Sequence, residues 1–259
     1  MDEKLVVRNL DFSIDKFKLL QNISFELSKG VIYPLFGPSG AGKSTLAKIL
    51  AGILHPDSGE LNYSPNDSAL VFQFSEDMLF MPSVRDEWCF PLQQQGLEAN
   101  EIENKVQKIS NFLNFPTAAL NQSPFFLSGG YKKLAALGAI LILKPAFLIL
   151  DEPASGLDMG LKATLLQNLK NYVKQEKCFC LMITHDLDFF MQENFSGFFL
   201  QEGKLIRIKR DEILYKDVDA GLPLEYLFLK KLATSNSNFE ILKNFPTSFE
   251  EKVDFINQI

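Results

Sequence analysis

Short apolar runs separated by polar turns open the chain: "LVV", "FSI" and "ISFEL" between Leu5 and Leu27, then "VIYPLF" from Val31 to Phe36, entered through Gly30. Runs of this length, rich in β-branched and aromatic residues and bounded by turn formers, predict strands. From Lys43 the period changes, because Leu46, Ile49, Leu50 and Ile53 recur at the spacing of a helix with one buried face. "ALVFQF" predicts another strand. The region from Val84 to Ala139 is predicted to be mostly helical, with an acidic first turn and a repeating apolar face in "ANEIENKVQKISNFLNF". "AFLILDEP" and "CFCLMITHD" are continuous apolar runs that end in polar residues, as expected of parallel strands buried on both faces, with "LKATLLQNLKNYVKQ" as the helix between them. A hairpin is expected around Glu202-Gly203, and the tail from about Asp211 reads as a separate module with two short amphipathic segments.

Composition narrows this picture without changing it. The chain has 259 residues, 46% hydrophobic and 22% charged, enough for one large core with a small appendage and too apolar for disorder. A formal net charge of -6 gives no basic field for a nucleic-acid backbone, so no nucleic-acid partner is expected. The three cysteines, Cys89, Cys178 and Cys180, are too few for a disulfide framework and read as reduced structural thiols. The N-terminal stretch does not read as a secretory signal, so none is expected, and the most apolar segment, Leu134 to Leu150, is broken by Lys144 and Pro145 and falls short of a membrane span. Membrane association is therefore expected only through a partner.

The candidate chemistry sits where predicted strands end. Gly37, Pro38, Ser39, Gly40, Ala41, Gly42, Lys43 and Ser44 form G-x-x-x-x-G-K-[ST], followed by Thr45, between a strand and a helix. Glycines let backbone N–H groups close around a phosphate, Lys43 supplies charge and the Ser44 hydroxyl a ligand for Mg2+. Pro34 conflicts with this placement, since a missing N–H would break the ladder of a central strand. Asp151 and Glu152 close a buried strand at the edge where ligands of open α/β sheets bind. Two adjacent carboxylates disfavour each other's ionisation unless a cation is near, which suggests that Asp151 supports Mg2+ and Glu152 polarises the attacking water. His185 and Gln73 end the neighbouring runs and could reach the same edge, Gln73 also toward the metal, whereas His55 reads as a loop residue.

Taken in order, "GPSGAGKST", Gln73, "LSGGY", "LILDEP", "SGLD" and "THD" resemble the motif set of the ATP-binding cassette (ABC) ATPases. The resemblance implies an α/β P-loop NTPase (RecA-like) core with an N-terminal antiparallel β part and a helical subdomain at about 84–144, all within 1–210. It also implies ATP and Mg2+ as ligands and a head-to-tail dimer. Ser128, Gly129 and Gly130 of one chain would then contact the nucleotide held by the other, with Ser155, Gly156, Leu157 and Asp158 at the dimer interface. Small residues at a helix N-terminus suit such an anion contact. Tyr131 stands where the family has glutamine, Leu134 where it often has arginine, and Ala154 where threonine is frequent. For the aromatic that stacks on adenine, the aligned residue is Ile14, with Phe17 nearby.

A narrower resemblance, to the ATPases of energy-coupling factor importers, rests on "VFQFSEDMLFMPSVRDEWCF", "SPFFLSGGYKKLAALGAIL" and the tail segments "AGLPLEYLFLKKL" and "FPTSFEEKVDFI". It implies a small helical C-terminal extension over 211–259, a membrane coupling subunit, a membrane substrate-binding subunit, and a place on the cytoplasmic face of the membrane. The cargo would be a vitamin or transition-metal ion. In this reading the apolar turn Met78, Leu79, Phe80 and Met81 faces a partner helix; the competing expectation is that it packs in the core. Two other readings stay open: the weakly hydrolysing half of a heterodimeric pair, and a non-transport ATPase acting on ribosomes or DNA.

Overall fold

The computed structural model of the protein describes residues 3–191 and 195–210. The two predicted tail segments, and the extension over 211–259, lie outside the described residues. Strands β1 (Lys4–Ile14) and β2 (Phe17–Ser28) form an antiparallel hairpin. Along β2, Ile23, Phe25 and Leu27 are buried and alternate with exposed residues, the period-two pattern of a sheet with one wet face. Asn9 and Asn22 adopt positive φ (48° and 52°) where the register shifts, and their N–H groups donate to Ser24 Oγ (2.8 Å) and Asp11 Oδ1 (3.1 Å). Side chains therefore satisfy the donors that these bulges remove from the ladder.

Strand β3 (Ile32–Phe36) leads into residues 37–42 and helix α1 (Lys43–Leu50). The helix stops at Ala51 and Gly52, the latter at φ 72°, so Ile53 falls outside the expected helical face and is 52% exposed. Strand β4 (Ser58–Leu61) pairs with β1, and β5 (Ser68–Val71) joins a second sheet. Helices α2 (Val84–Gln94), α3 (Ala99–Leu113) and α4 (Gly129–Leu141) follow, then β6 (Phe147–Asp151), α5 (Met159–Glu176), β7 (Phe179–Ile183), α6 (Leu187–Met191), β8 (Ser196–Gln201) and β9 (Lys204–Lys209). The second sheet has the order β5-β6-β7-β3-β8-β9 and is parallel except for the β8–β9 hairpin, whose turn at Glu202 and Gly203 has positive φ at both residues.

Alternate residues of one strand feed two cores. In β6, Phe147 and Ile149 pack with α1 and the N-terminal sheet, while Leu148 and Leu150 pack with the helical layer. This explains the unbroken apolar runs: neither face of β6 or β7 reaches water. Pro34 does sit in central β3, opposite Met182 of β7, but pairing with β8 begins only at Leu35 and Phe198. Beside it stands Gly197, where a Cβ would fall 2.7 Å from Pro34 Cγ. The ladder therefore opens at one point, and a glycine makes room for the ring there.

The helical layer is organised around Trp88. The ring is fully buried, its Nε1–H donates to Ala135 O of α4 at 2.7 Å, and it meets Phe115 edge-on at 5.3 Å. Phe115 in turn contacts Tyr131 at 5.7 Å. The bulky residue after the glycines of "LSGG" thus turns into the core of its own chain, as does Leu134, which is fully buried.

Candidate functional site

Three parallel strands deliver their last residues to one edge: β3 to the glycine loop, β6 to Asp151 and Glu152, β7 to Thr184 and His185. A cavity of about 610 Å³ opens there, lined by Lys43, Ser44, Gln73, Asp151, Glu152 and His185 among others. Ser155, Gly156 and Leu157 also reach it, whereas Ser128, Gly129 and Gly130 do not line it.

The loop before α1 is built for close approach. Gly42 caps the helix at φ 99°, and a Cβ there would stand 3.1 Å from Leu19 Cγ and 3.2 Å from Leu20 Cδ2 of β2. Lys43 is buried and folds across the loop, its Nζ donating to Gly37 O (2.8 Å) and Pro38 O (2.9 Å). Burial lowers its pKa, with the carboxylates of Glu152 and Asp151 acting in the opposite sense. The cation thus spans the concavity that the loop N–H groups and helix terminus create, which suits a polyphosphate.

Glu152 is held in a conformation that glutamate avoids. Its φ is 51°, and Pro153 follows, although a residue before proline is driven toward extended backbone. Its N–H donates to Ile183 O (3.0 Å) and its carbonyl accepts from Ser155 N–H (3.1 Å), so the surroundings impose the geometry. Oε1 is buried without a hydrogen-bond partner. Burial, then the neighbouring Asp151, push the Glu152 pKa up to about 7, against the opposing pull of Lys43 and the His185 N–H. His185 Nε2 lies 3.6 Å from Oε1, and burial followed by Lys43 lowers its pKa below 6.5. Both groups are pushed toward neutrality, so this contact is not an ion pair. The arrangement offers a carboxylate that titrates near neutral pH beside a neutral imidazole, as acid–base chemistry requires.

The raised pKa has a measurable sign. Below pH 4.5 both folded and unfolded chains hold the Glu152 proton; between 4.5 and about 7 the folded chain keeps a proton that the unfolded chain has lost. Stability of the nucleotide-free protein should therefore fall by roughly 2–3 kcal/mol through this group as pH rises across that window, and level off above it. Denaturant titrations at pH 5 and pH 8 should show this component in the wild type and not in Glu152→Gln; equal slopes in the two would refute it.

Two contacts have little signature in the sequence. Lys162 of α5 pairs with Asp186 at 2.8 Å beside the cavity, and Asp186 N–H donates to Thr184 Oγ1 at 2.9 Å. Lys162 lies in the first turn of α5, where a cation opposes the helix dipole, and this was the one signal available. Lys133 of α4, nearly fully buried, donates from Nζ to Ser155 O at 2.7 Å. His55 is exposed in a loop. The three thiols are free, and among the described residues no cluster of three His, Cys, Asp or Glu could cage a metal.

A family model described as ABC transporter matches residues 20–155. The chain belongs to the ABC transporter ATPases. This ABC ATPase is 35% identical over 217 residues to a putative ABC transporter ATP-binding protein of Clostridium acetobutylicum, spanning 78% of this chain and 77% of that relative. It is 30% identical over 266 residues to the energy-coupling factor transporter ATP-binding protein EcfA of Methanothermobacter thermautotrophicus, spanning 95% of this chain and 85% of that relative. The solved structure of cbiO1 from Clostridium perfringens, described as part of the ABC transporter complex cbiONQ, matches with a TM-score of 0.74 at 26% identity, over 90% of this chain and 100% of that one. The ABC ATPase thus has the P-loop NTPase fold, binds ATP, and has relatives that are ATP-binding subunits of transporters. Among its described residues no helix is long and apolar enough to cross a membrane.

Proposed function

We propose that the protein drives a membrane importer by binding and hydrolysing ATP between two chains, each lending half of both pockets. The observation that carries this is the split of the motifs. Five of them meet in one cavity, while Ser128, Gly129 and Gly130 start α4 outside it, with Ser128 and Gly129 exposed and no side-chain cap on Ser128. In this reading the nucleotide-binding residues are Gly37 to Thr45, Glu152 is the base that polarises water, and His185 and Gln73 attend the γ-phosphate. The Ser44 hydroxyl, the Asp151 carboxylate and the Gln73 amide line the cavity and are hard oxygen donors suited to a Mg2+ that keeps several waters. Bound there, Mg2+ supplies positive charge to the phosphate oxygens.

The ATPase unit would span 1–210, with the helical subdomain at 84–144 and the appended module at 211–259. Its membrane partner would dock on the turn after Gln73, where Leu79 is buried but Phe74, Met78 and Phe80 are 64%, 62% and 64% exposed. Glu87, buried, fixes that turn by accepting from Phe80 N–H (3.1 Å) and Met81 N–H (2.9 Å). The similarity to EcfA and cbiO1 supports a place in a transporter complex; in this reading the cargo is a vitamin or transition-metal ion, the partners are a membrane coupling subunit and a substrate-binding subunit, and the location is the cytoplasmic face. No observation favours a heterodimer or a nucleic-acid target, since Tyr131 and Leu134 are taken up by internal packing.

Complementation tests the shared pocket. Lys43→Ala and Ser128→Arg should each be inactive alone. Mixed, they should recover activity, because a mixed dimer has one intact composite site; random pairing gives at most about a quarter of wild-type turnover. Ser128→Arg active by itself would refute the reading.

A further inference from the structure

The buried ammonium of Lys133 is unusual in its setting. Its neighbours on α4, Leu134, Ala135, Ala136 and Leu137, are all buried and apolar, and Lys133 is itself 6% exposed. A desolvated ammonium is costly unless well paired, and an apolar side chain of equal length would fill the same space without that cost. Yet the ammonium has three donors and its one hydrogen-bond partner among the described residues is the Ser155 carbonyl. Core packing alone does not account for the charge.

What it grips is the connection between the two halves of the chain's chemistry. Ser155 is three residues beyond Glu152, and its N–H donates to Glu152 O at 3.1 Å, so one short turn joins the lysine's acceptor to the strained glutamate. One turn earlier on α4, Gly130 lies against the same region: a Cβ there would stand 3.3 Å from both Leu157 Cδ2 and Leu161 Cδ2. The start of α4 is therefore clamped to residues 155–161 by a close glycine contact and a buried charge–carbonyl bond.

We propose that Lys133 is a positioning residue for ATP hydrolysis. Its bond to Ser155 O makes the Glu152 turn and the Ser128–Gly130 terminus of one chain move as a single body. This rests on the two-chain reading above. When the terminus of α4 engages the nucleotide of a second chain, the displacement passes through Lys133 to Ser155 and so to Glu152 of its own site, which ties the two sites together.

Steady-state ATP hydrolysis and thermal unfolding of full-length K133M and K133R test this. Methionine keeps the length and removes the donor; arginine keeps a donor. K133M should lower kcat by about ten- to a hundredfold, the cost of small misplacement of catalytic groups, with KM for ATP changed little and the unfolding midpoint near wild type. K133R should regain most of kcat. The proposal is overturned by K133M with kcat within about twofold of wild type, by a folded K133R that fails to regain turnover, or by a K133M chain that does not fold, which would make Lys133 a stability residue only. ATP-bridged dimerisation of Glu152→Gln on a sizing column reads the two-chain arrangement without needing coupled turnover. If that dimer forms while K133M behaves as wild type, the lysine's role alone is lost; if it does not form, the two-chain reading is lost.

Discussion

Glu152→Gln is expected to slow hydrolysis by about 10²- to 10⁴-fold while ATP still binds, the usual contribution of a positioned general base. Glutamine has the same shape and can still accept the His185 N–H, so the left-handed turn at this position and its bonds to Ile183 O and Ser155 N–H should persist. What disappears is the capacity to take a proton. ATP-bridged dimer should accumulate on a sizing column, since the bridging ligand is no longer consumed. The same substitution should raise the unfolding midpoint above pH 7, because it replaces a carboxylate that burial pushes up to about 7 with a neutral amide. Unchanged turnover would remove Glu152 from the chemistry whatever the stability result.

Lys43→Ala is expected to weaken ATP binding by about a hundredfold or more, since each charge-assisted hydrogen bond to phosphate contributes about 1.5–3 kcal/mol. The ammonium bonds two loop carbonyls, Gly37 O and Pro38 O, so its removal leaves both without that donor. The loss should therefore appear in two measurements: calorimetric ATP affinity, and a lower unfolding midpoint of the free chain. A variant with native affinity would show that the loop backbone alone holds the phosphates.

The parts of this protein that could be read from sequence are those where burial leaves a periodic trace. The apolar runs of β3, β6 and β7 were legible because both faces are covered, and each ends in the residues that meet at the cavity. Strand β4 is not legible, because "SGEL" is short, mostly exposed and held at the edge of β1 by backbone pairing and one Ser58–Asp11 side-chain bond. Pro34 looked incompatible with a central strand because its accommodation depends on Gly197, distant in sequence. The apolar turn after Gln73 is divided residue by residue, with Leu79 inward and Met78 and Phe80 outward, which an apolar run alone does not reveal.

The site divides the same way. Residues that local spacing marks as candidates, including Lys43, Ser44, Asp151 and Glu152, are brought to one cavity. Lys133 and Lys162 are not marked in this way, since each is bonded to a partner on another element: a backbone carbonyl for one, Asp186 for the other. Helix periodicity marks Lys133 only as an exception to an apolar face. Which atom it meets is decided by tertiary packing.

The chain has a single tryptophan. Because Trp88 is sealed between α2 and α4, with its indole bonded to Ala135 O and its edge on Phe115, its emission will be blue-shifted and sensitive to any rotation of the α4 segment against its neighbours. An optical probe in α2 thus rests against the helix that "LSGG" opens, and rapid-mixing spectroscopy can time the movement of that helix without a label.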